Sequence, residues 1–374
     1  MIGGKNMGYC TNIRTERGCF CTFVPPYILE NLAKAGVEDA TMTIHQDMLS
    51  RKERESEIPS IGILMGVTPA TGRSSRHVYD SGNGMDYQVK LVMSEGGPVV
   101  ADDAVNNAYD YIGNFRDYFK TELGRDSIDN KGMDIICNVH FGVKYNNAFF
   151  NGKEITLGDG DDVIFSSFAK SLEVIAHELG HGIVQWTADF EYRNQSGALN
   201  EHFADVFGSV VTQHIEKSTA EDADWLIGDE IMGPKLYGEA LRCMASPGTA
   251  FDNDLMGKDP QPDHMRDYYK GPNDNGGVHI NSGIMNRAFY LASKELGTNN
   301  AALIWYTALQ NLWPTASFND AVAQIVRATQ LLIKRGRIKS GATQKVRAAF
   351  KEVGLPARDE SGIPGIPTAQ LIQF

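Results

Sequence analysis

Apolar residues spaced three and four apart recur along the chain and predict helices. From residue 101 such positions share one helix face, and Gly124 is placed to end that helix; they are Val105, Ala108, Ile112, Phe115 and Phe119. After about residue 170 the same period dominates, and we expect helices over 170–186, 199–216, 284–296, 300–312, 318–334 and 343–353. The second half of the chain is therefore predicted to be helical.

Short apolar runs between the first predicted helix and residue 170 predict strands instead. These runs are 139–143, 148–150 and 154–157, and the pair Asn151-Gly152 lies between the last two. An Asn-Gly pair between two strands is typical of a hairpin with a type I′ turn. A strand-rich N-terminal half joined to an all-helical C-terminal half is an α+β arrangement.

The first 75 residues differ in composition from the rest. A short helical patch at 27–34 follows Pro25-Pro26, the charge-dense run 51–57 comes next, and Gly, Pro, Thr and Ser dominate 68–75. This order is typical of a small appendage on an exposed, protease-sensitive linker. We therefore expect an N-terminal segment and linker over 1–75, and the main body to follow.

Composition narrows the class of protein. The chain has 374 residues, of which 42 % are hydrophobic and 22 % charged, as in ordinary globular proteins with large cores. Its formal charge of 35 − 47 = −12 argues against a nucleic-acid partner. No run approaches the roughly 18 apolar residues that span a bilayer, and the first ten residues lack the apolar part of a secretory signal. We expect a monomer without a membrane partner, cytoplasmic or exported by a non-classical route.

Five cysteines, an odd number, give no metal-type pairing; they lie at positions 10, 19, 21, 137 and 243. Reduced thiols are the expectation, because a disulfide framework needs an even set at regular spacing. Cys19 and Cys21 form the one close pair, and a spacing of one residue is poor for a chelating zinc site. A structural or incidental role is favoured, and a thiolate that reaches a catalytic metal stays an alternative.

One motif carries chemistry: His177-Glu178-Leu179-Gly180-His181. On a helix the two histidines lie at i and i+4, so both imidazoles can bind one zinc while Glu178 reaches a metal-bound water. A catalytic zinc needs a third protein ligand and one open position. Glu201 on the next predicted helix supplies that ligand, and Asp205 shares its face as an acceptor for a ligand histidine.

Several separated motifs occur in an order that resembles the thermolysin-like zinc metallopeptidases, in particular the protealysin-type precursors with a short pro-segment. The resemblance covers about 100–374. Its motifs are Asn147-Ala148-Phe149, His177-Glu178-x-x-His181, Tyr192 through Asp205, Leu241-Arg242-x-Met244, and Asp274 through Gly283. It implies a thermolysin-like two-domain α+β fold, with a strand-rich N-terminal domain over 76–188 that includes the zinc helix and an all-helical C-terminal domain over 189–374.

The resemblance also implies a role for each matched residue. His177, His181 and Glu201 would bind zinc, Glu178 would be the general base, and Asp205 would orient His177. Tyr192 and His279 would stabilise the oxyanion, and Asp274 would hold His279 in the required tautomer. The substrate main chain would be bound by Asn147, Ala148 and Arg242. An apolar side chain of the substrate would enter a pocket formed by Phe165, Phe168, Val174 and Leu241.

The resemblance therefore implies a zinc endopeptidase that prefers a bulky apolar residue on the leaving-amine side and is made as a precursor. Its partners would be peptide or protein substrates and its own pro-segment. Pro25, Pro26 and Tyr27 resemble a pro-segment motif that would block the groove, although two prolines are also typical of a helix start. The alternatives are an aminopeptidase and a non-catalytic zinc-binding protein on the same fold.

Calcium sites are less well supported by the sequence than the zinc site. The family's acidic calcium positions match Glu173, Asp224 and Asp229, but Thr212 and Leu226 stand at two others. The acidic loop 158–162 lacks the closing glutamate of an EF-hand, which favours a polar turn. We expect one catalytic zinc, and a double-calcium site is doubtful.

Overall fold

A computed structural model describes residues 21–56 and 74–357. The helices are α1 (Pro26–Lys34), α2 (Glu38–Ser56), α3 (Asp103–Glu122), α4 (Leu172–Gln185), α5 (Asn194–Glu216), α6 (Asn273–Leu296), α7 (Thr298–Leu309), α8 (Phe318–Lys334) and α9 (Ala342–Glu352). The strands are β1 (Arg76–Asp80), β2 (Lys90–Ser94), β3 (Ile135–Val139), β4 (Ala148–Phe150), β5 (Ile155–Leu157), β6 (Leu226–Ile227), β7 (Arg242–Cys243), β8 (Asp252–Asn253) and β9 (Gly257–Lys258). No helix in these described ranges is long and apolar enough to cross a membrane.

A five-stranded mixed sheet forms the N-terminal part of the main body. Its order is β2-β1-β3-β5-β4, with β1 parallel to β3, β3 parallel to β5, and β1–β2 and β4–β5 antiparallel. Helix α3, which the apolar period predicts, lies against β1 and β3 and also contacts α4. It begins where the Asp102 carboxylate accepts the backbone N–H groups of Ala104 and Val105. The edge strand β4 contacts α4 as well, so the sheet and the central helix share one core.

Two details of the predicted strands are wrong. Strand β3 ends at Val139 where the sequence pattern places a strand over 139–143, because His140, Gly142 and Lys144 all adopt positive φ angles. The hairpin between β4 and β5 forms as predicted, but its turn is not type I′, since that turn needs positive φ at both central residues. Here Asn151 N–H bonds to the Glu154 carbonyl, and of the two residues between them only Gly152 has a positive φ.

The C-terminal part is helical, as predicted. Helix α4 packs against α5, and α5 against α6, with α7, α8 and α9 completing the layer. The sequence pattern predicts α6 only from residue 284, because the polar and glycine-rich stretch before it has no apolar period. In the structure α6 begins at Asn273, and residues 274–277 have left-handed φ angles, so regular helix follows Gly277.

Helix α4 is buried along almost its whole length. Its residues from Leu172 to Val184 are all buried, and it begins where the Ser171 hydroxyl accepts the Val174 N–H. A Cβ on Gly180 would lie 3.1 Å from the Ala204 Cα of α5. The glycine therefore lets the two helices approach closely.

The N-terminal appendage is more helical than its composition suggests. Helix α2 continues to Ser56 through most of the charged run 51–57. This run contains no apolar residue, so the apolar period could not predict that part of the helix. The Gly- and Pro-bearing part of the predicted linker, 57–73, lies outside the described residues. Cys137 and Cys243 are free and buried, as expected, whereas Cys21 is disulfide-bonded, so the prediction of reduced thiols is wrong for that residue.

Candidate active site

Helices α4 and α5 bring together three side chains that can bind one metal ion. The Nε2 atoms of His177 and His181 are 3.0 Å apart, and carboxylate oxygens of Glu201 lie 3.7 Å from each of them. All three side chains are buried. Burial lowers the pKa of His181 to about 4, so this imidazole is neutral, as a metal ligand must be. Two imidazoles and one carboxylate are a donor set that fits a catalytic zinc with one position open.

The other nitrogen of each histidine is also held. His177 Nδ1 lies 2.9 Å from Asp205 Oδ1, where the sequence predicts that contact, and His181 Nδ1 lies 2.8 Å from Asn200 Oδ1. Such contacts fix the ring orientation and leave Nε2 for the metal. The role of Asn200 was missed, although the residue stands in a matched motif directly before Glu201.

Asp205 also pairs with Arg242, which the sequence analysis assigned to substrate alone. The guanidinium donates to both carboxylate oxygens at 2.8 to 3.2 Å, and Asn286 donates a further hydrogen bond at 2.8 Å. All of these side chains are buried. Burial alone would raise the pKa of Asp205, but the Arg242 charge and His177 hold it well below its usual range. Arg242 therefore keeps the partner of His177 ionised.

Glu178 lies close to His181 of the donor set. It is fully buried on α4, and one of its carboxylate oxygens, a His181 nitrogen and the Cys21 sulfur all lie within 4.8 Å of one another. The sequence spacing predicts the position of Glu178. Cys21 lies beside Glu178, and the residue spacing within the motif could not predict this.

Tyr192, His279 and Asp274 lie close to one another and to Glu201. The Tyr192 hydroxyl donates to Glu201 and lies 3.3 Å from His279 Nε2, which is 3.4 Å from Glu201. Asp274 accepts the His279 backbone N–H at 2.8 Å and contacts its Nδ1 at 2.6 Å. The left-handed backbone at 274–277 turns the carboxylate of Asp274 back to the ring. Burial lowers the pKa of His279, but the Glu201 and Asp274 charges raise it above its usual value.

Residues 22–24, here called the cleft segment, run across this site. The Phe23 N–H donates to the Ala148 carbonyl at 2.9 Å, and the Phe23 carbonyl accepts from Arg242 at 3.3 Å. Val24 donates its N–H to Asn147 Oδ1 at 2.9 Å and accepts from Asn147 Nδ2 at 3.4 Å. The three residues predicted to bind substrate main chain thus bind the chain's own backbone.

The Phe23 side chain fills the predicted apolar pocket. It is fully buried, and its ring lies edge-on to Phe168 at 6.4 Å and to the His177 ring at 5.0 Å. A Cβ on Gly228 would lie 3.1 Å from the Phe23 ring and 3.0 Å from Leu241, so this glycine leaves room for the ring. Of the other two predicted pocket residues, Phe165 packs on Phe168 at 5.9 Å, and Val174 is buried on α4.

Pro25, Pro26 and Tyr27 lie directly after the cleft segment. Pro25 precedes α1 and Pro26 begins it, which is the structural role that two prolines favour. The Tyr27 hydroxyl is buried, and burial, followed by the charges of Asp259 and Asp274, raises its pKa well above the usual value. The residues that reach the backbone-binding groups are therefore the three before Pro25. A bulky apolar residue two positions before Pro-Pro was the available signal, and the sequence analysis did not use it.

The predicted calcium positions do not form a close group of ligands in the described ranges. The described sets of three ligand-type atoms within 4.8 Å are His177–His181–Glu201 and Cys21–Glu178–His181. Glu173 is buried, which raises its pKa well above the usual value, and it accepts the Gly228 N–H at 2.8 Å. In the acidic loop, Asp161 accepts three backbone N–H groups, as in a polar turn. That a double-calcium site is doubtful stays a prediction.

Comparison with known proteins places the chain in a family. Residues 68–185 match the family model of the thermolysin metallopeptidase catalytic domain, and residues 188–355 match that of its α-helical domain. One similar protein is the extracellular metalloprotease of Pectobacterium carotovorum subsp. carotovorum, which is 41 % identical over 77 % of this chain and 84 % of its own length. Another is protease PrtS of Photorhabdus sp. (strain Az29), which is 38 % identical over 90 % of this chain and 92 % of its own length. A similar solved structure is the precursor of protealysin, a metalloproteinase from Serratia proteamaculans. The two structures match with a TM-score of 0.79 and 38 % sequence identity, and the match covers 90 % of this chain and 99 % of the protealysin precursor.

The chain therefore belongs to the thermolysin family of metallopeptidases. It is a hydrolase, and the predictions of a zinc-dependent endopeptidase and of a thermolysin-like two-domain fold are confirmed. The domain boundaries and the individual roles of the site residues stay predictions.

Proposed function

We propose that His177, His181 and Glu201 hold one catalytic zinc and that Glu178 is the general base of peptide hydrolysis. The observation that carries this proposal is the buried donor set with Glu178 beside it and a peptide backbone bound across it. Asp205 and Asn200 are positioning residues, because each holds the second nitrogen of a ligand histidine.

Each residue of the site has a separate role in hydrolysis. Zinc, when bound, polarises the scissile carbonyl and acidifies a water molecule. Glu178 takes the proton of the attacking water and passes it to the leaving amine. His279 and Tyr192 donate hydrogen bonds to the carbonyl oxygen, a contribution of roughly 3–4 kcal/mol for each donor. Arg242, Asn147 and the Ala148 carbonyl hold the main chain on the leaving side.

The pocket around Phe23 supports a preference for a bulky apolar residue on the leaving-amine side. Its walls, formed with Phe165, Phe168 and Leu241, are apolar, and Gly228 leaves space for a ring. Apolar burial of a whole side chain contributes about 1.5–3 kcal/mol, which is enough to set a preference.

The chain is a latent precursor in this proposal. Its cleft segment occupies the groups that would bind substrate, so residues 21–56 form a self-inhibitory pro-segment. The similarity to the protealysin precursor over 90 % of this chain supports the proposal. The name of the Pectobacterium relative supports export over a cytoplasmic location.

The test is the variant Glu178→Gln assayed on a blocked apolar peptide after the pro-segment has been removed. We expect full zinc content and turnover lower by several orders of magnitude, because the amide keeps the shape of the carboxylate but cannot act as a base. The wild type should lose activity with 1,10-phenanthroline. Retention of more than about a tenth of wild-type turnover would refute the role of Glu178.

The matched control is Glu173→Gln, the same change on the same helix. Glu173 lies one turn before His177 on α4 but is not one of the metal-binding side chains, and its raised pKa favours a neutral carboxyl that an amide can imitate. Its turnover should stay close to wild type. Hydrolysis of free peptides alone, with blocked peptides resistant, would favour the aminopeptidase alternative.

A further inference from the structure

The cleft segment lies in the register that a substrate needs. The Thr22 carbonyl accepts from His279 Nε2 at 3.2 Å, which is the group assigned to the carbonyl of a scissile bond. The next nitrogen, that of Phe23, donates to Ala148, and the Phe23 side chain occupies the pocket on the leaving side. The peptide bond at the catalytic centre is therefore Thr22–Phe23.

A bond held this way in an active protease should be cut, unless something excludes the attacking water. Cys21 is the residue before Thr22, and its sulfur lies within 4.8 Å of both a Glu178 carboxylate oxygen and a His181 nitrogen. The water that Glu178 activates has to lie between these same two groups. Cys21 is itself fully buried, so its side chain is packed beside these groups and does not point into solvent.

We propose that the Cys21 side chain takes the place of the attacking water and so turns the cleft segment from a substrate into an inhibitor. Without this side chain the enzyme cuts its own Thr22–Phe23 bond. In that reaction the water oxygen joins the Thr22 carbonyl carbon, the bond to the Phe23 nitrogen breaks, and Glu178 carries the water proton to that nitrogen. The inference rests on the proposed function of Glu178 and the donor set.

The experiment compares Cys21→Ala with Cys21→Val in the zinc-loaded full chain. Both variants lack the Cys21 disulfide, so they differ only in how much space the side chain fills. We expect Cys21→Ala to yield a new N-terminus at Phe23, detected by intact mass and N-terminal sequencing, and Cys21→Val and wild type to stay uncut at this bond. Equal cutting of the alanine and valine variants, or no cutting of the alanine variant, would overturn the proposal.

A second measurement is independent of turnover. In full-length Glu178→Gln chain, the Phe23 and Val24 amides should exchange hydrogen slowly, because both are buried and donate to Ala148 and Asn147. Adding Phe23→Ala should release both amides to fast exchange. Fast exchange of these amides without that substitution would refute the register.

Failure of this inference is distinguishable from failure of the proposed function. Each variant is also treated to remove the pro-segment and is assayed on the blocked apolar peptide. Hydrolysis of that peptide by an alanine variant that never cuts at Thr22–Phe23 would refute only the inference. No hydrolysis of the peptide by any pro-segment-free chain would refute the function itself.

Discussion

The Asp205 carboxylate holds two buried partners at once, the His177 imidazole and the charged Arg242 guanidinium. An ion pair of this kind adds little net stability, but removal of one member leaves a charge buried without a partner. The sequence analysis considered only the histidine as a partner of Asp205. The structure makes Asp205 a residue on which folding depends as well.

For Asp205→Ala we expect the free energy of unfolding to fall by about 3–5 kcal/mol, because Arg242 loses its carboxylate in a buried site. Zinc affinity should fall about 10–100-fold, as for other partners of metal-binding histidines. Urea denaturation of the zinc-free protein measures the first effect separately from the second. The double variant Asp205→Ala/Arg242→Met should lose less stability than Asp205→Ala. A larger loss in the double variant would contradict this account.

His140 gives a prediction about pH. Its Nδ1 lies 2.9 Å from Asp159 and its Nε2 lies 2.8 Å from Asp102, the residue that caps α3. The hydrogen bond to Asp159, followed by that to Asp102, raises the pKa of His140 to about 9 against an opposing effect of burial. Because the folded pKa is above the unfolded value of 6.5, the stabilisation is complete below that value and is lost as the pH rises through about 9.

The variant His140→Asn tests this, since asparagine tolerates the left-handed φ of 53° at this position. We expect wild type to be more stable than the variant by about 1–2 kcal/mol near pH 6, after allowance for solvent screening of the half-exposed carboxylates. The difference should shrink towards zero by about pH 10. Urea denaturation across this range measures it, and a difference that grows with pH would contradict the sign.

The sequence could predict the residues that depend on local geometry. Residues four positions apart on a helix share one face in any protein. His177 and His181 on α4 have this spacing, and so do Glu201 and Asp205 on α5. The cleft segment could not be found in this way, because its backbone contacts join residues more than 100 positions apart, such as Val24 and Asn147. Spacing carries no information about such contacts.

At the scale of elements, the close approach of α4 and α5 sets the geometry of the donor set. Two donors come from α4 and the third from α5, and Gly180 stands at the contact between these helices. In the sequence alone, a glycine inside a helix is only a cost in helix propensity of up to about 1 kcal/mol. The contact with Ala204 explains it, since a backbone atom of the facing helix cannot move aside alone.

We expect Gly180→Ala to lower the free energy of unfolding by about 1–3 kcal/mol in spite of the better helix propensity of alanine. The added Cβ would lie 3.1 Å from Ala204 Cα and 3.4 Å from Phe207, so α4 and α5 have to separate. Separation moves Glu201 away from the histidines, and zinc affinity should fall with stability. Titration with a competing chelator measures the affinity, and an unchanged affinity in a more stable protein would contradict this reasoning.

Strand prediction failed where backbone conformation overrides side-chain pattern. The apolar residues after Val139 look like a continuing strand, but three left-handed residues turn the chain there. One of these is His140, whose imidazole reaches Asp102 and Asp159 only because the strand has ended. Long-range polar contacts of this kind leave no period in the sequence.

At the scale of the whole molecule, the pro-segment contacts both parts of the main body. Asn31 on α1 donates to the Met256 carbonyl at 2.8 Å, and α2 reaches the other side, where Asp47 accepts from Asn147 at 3.2 Å. The Asn146 N–H also donates to Thr43 at 3.0 Å. Helices α1 and α2 pack on each other, so the cleft segment is held by a unit that spans the cleft.

Inhibition by a tethered unit differs from inhibition by a free one in its dependence on concentration. While the chain is intact, the pro-segment has an effective concentration in the millimolar range at the cleft, whatever the concentration of the protein. A cut between residues 57 and 73 removes the tether but none of the described contacts. The cut protein should therefore remain inhibited when concentrated and become active on dilution, whereas the intact chain should stay inactive at both concentrations.

The measurement is the initial rate per enzyme on a blocked apolar peptide over a dilution series, at equal zinc content. The variant Phe23→Ala, which loses the apolar contact worth about 1.5–3 kcal/mol, should release the cut pro-segment at a protein concentration roughly 10–100-fold higher than wild type does. Arg193→Ala is a suitable control, because Arg193 is exposed and pairs with Glu191 outside the contacts with the pro-segment. An intact chain that is as active as the cut one at every dilution would show that the N-terminal unit is a structural arm and not an inhibitor.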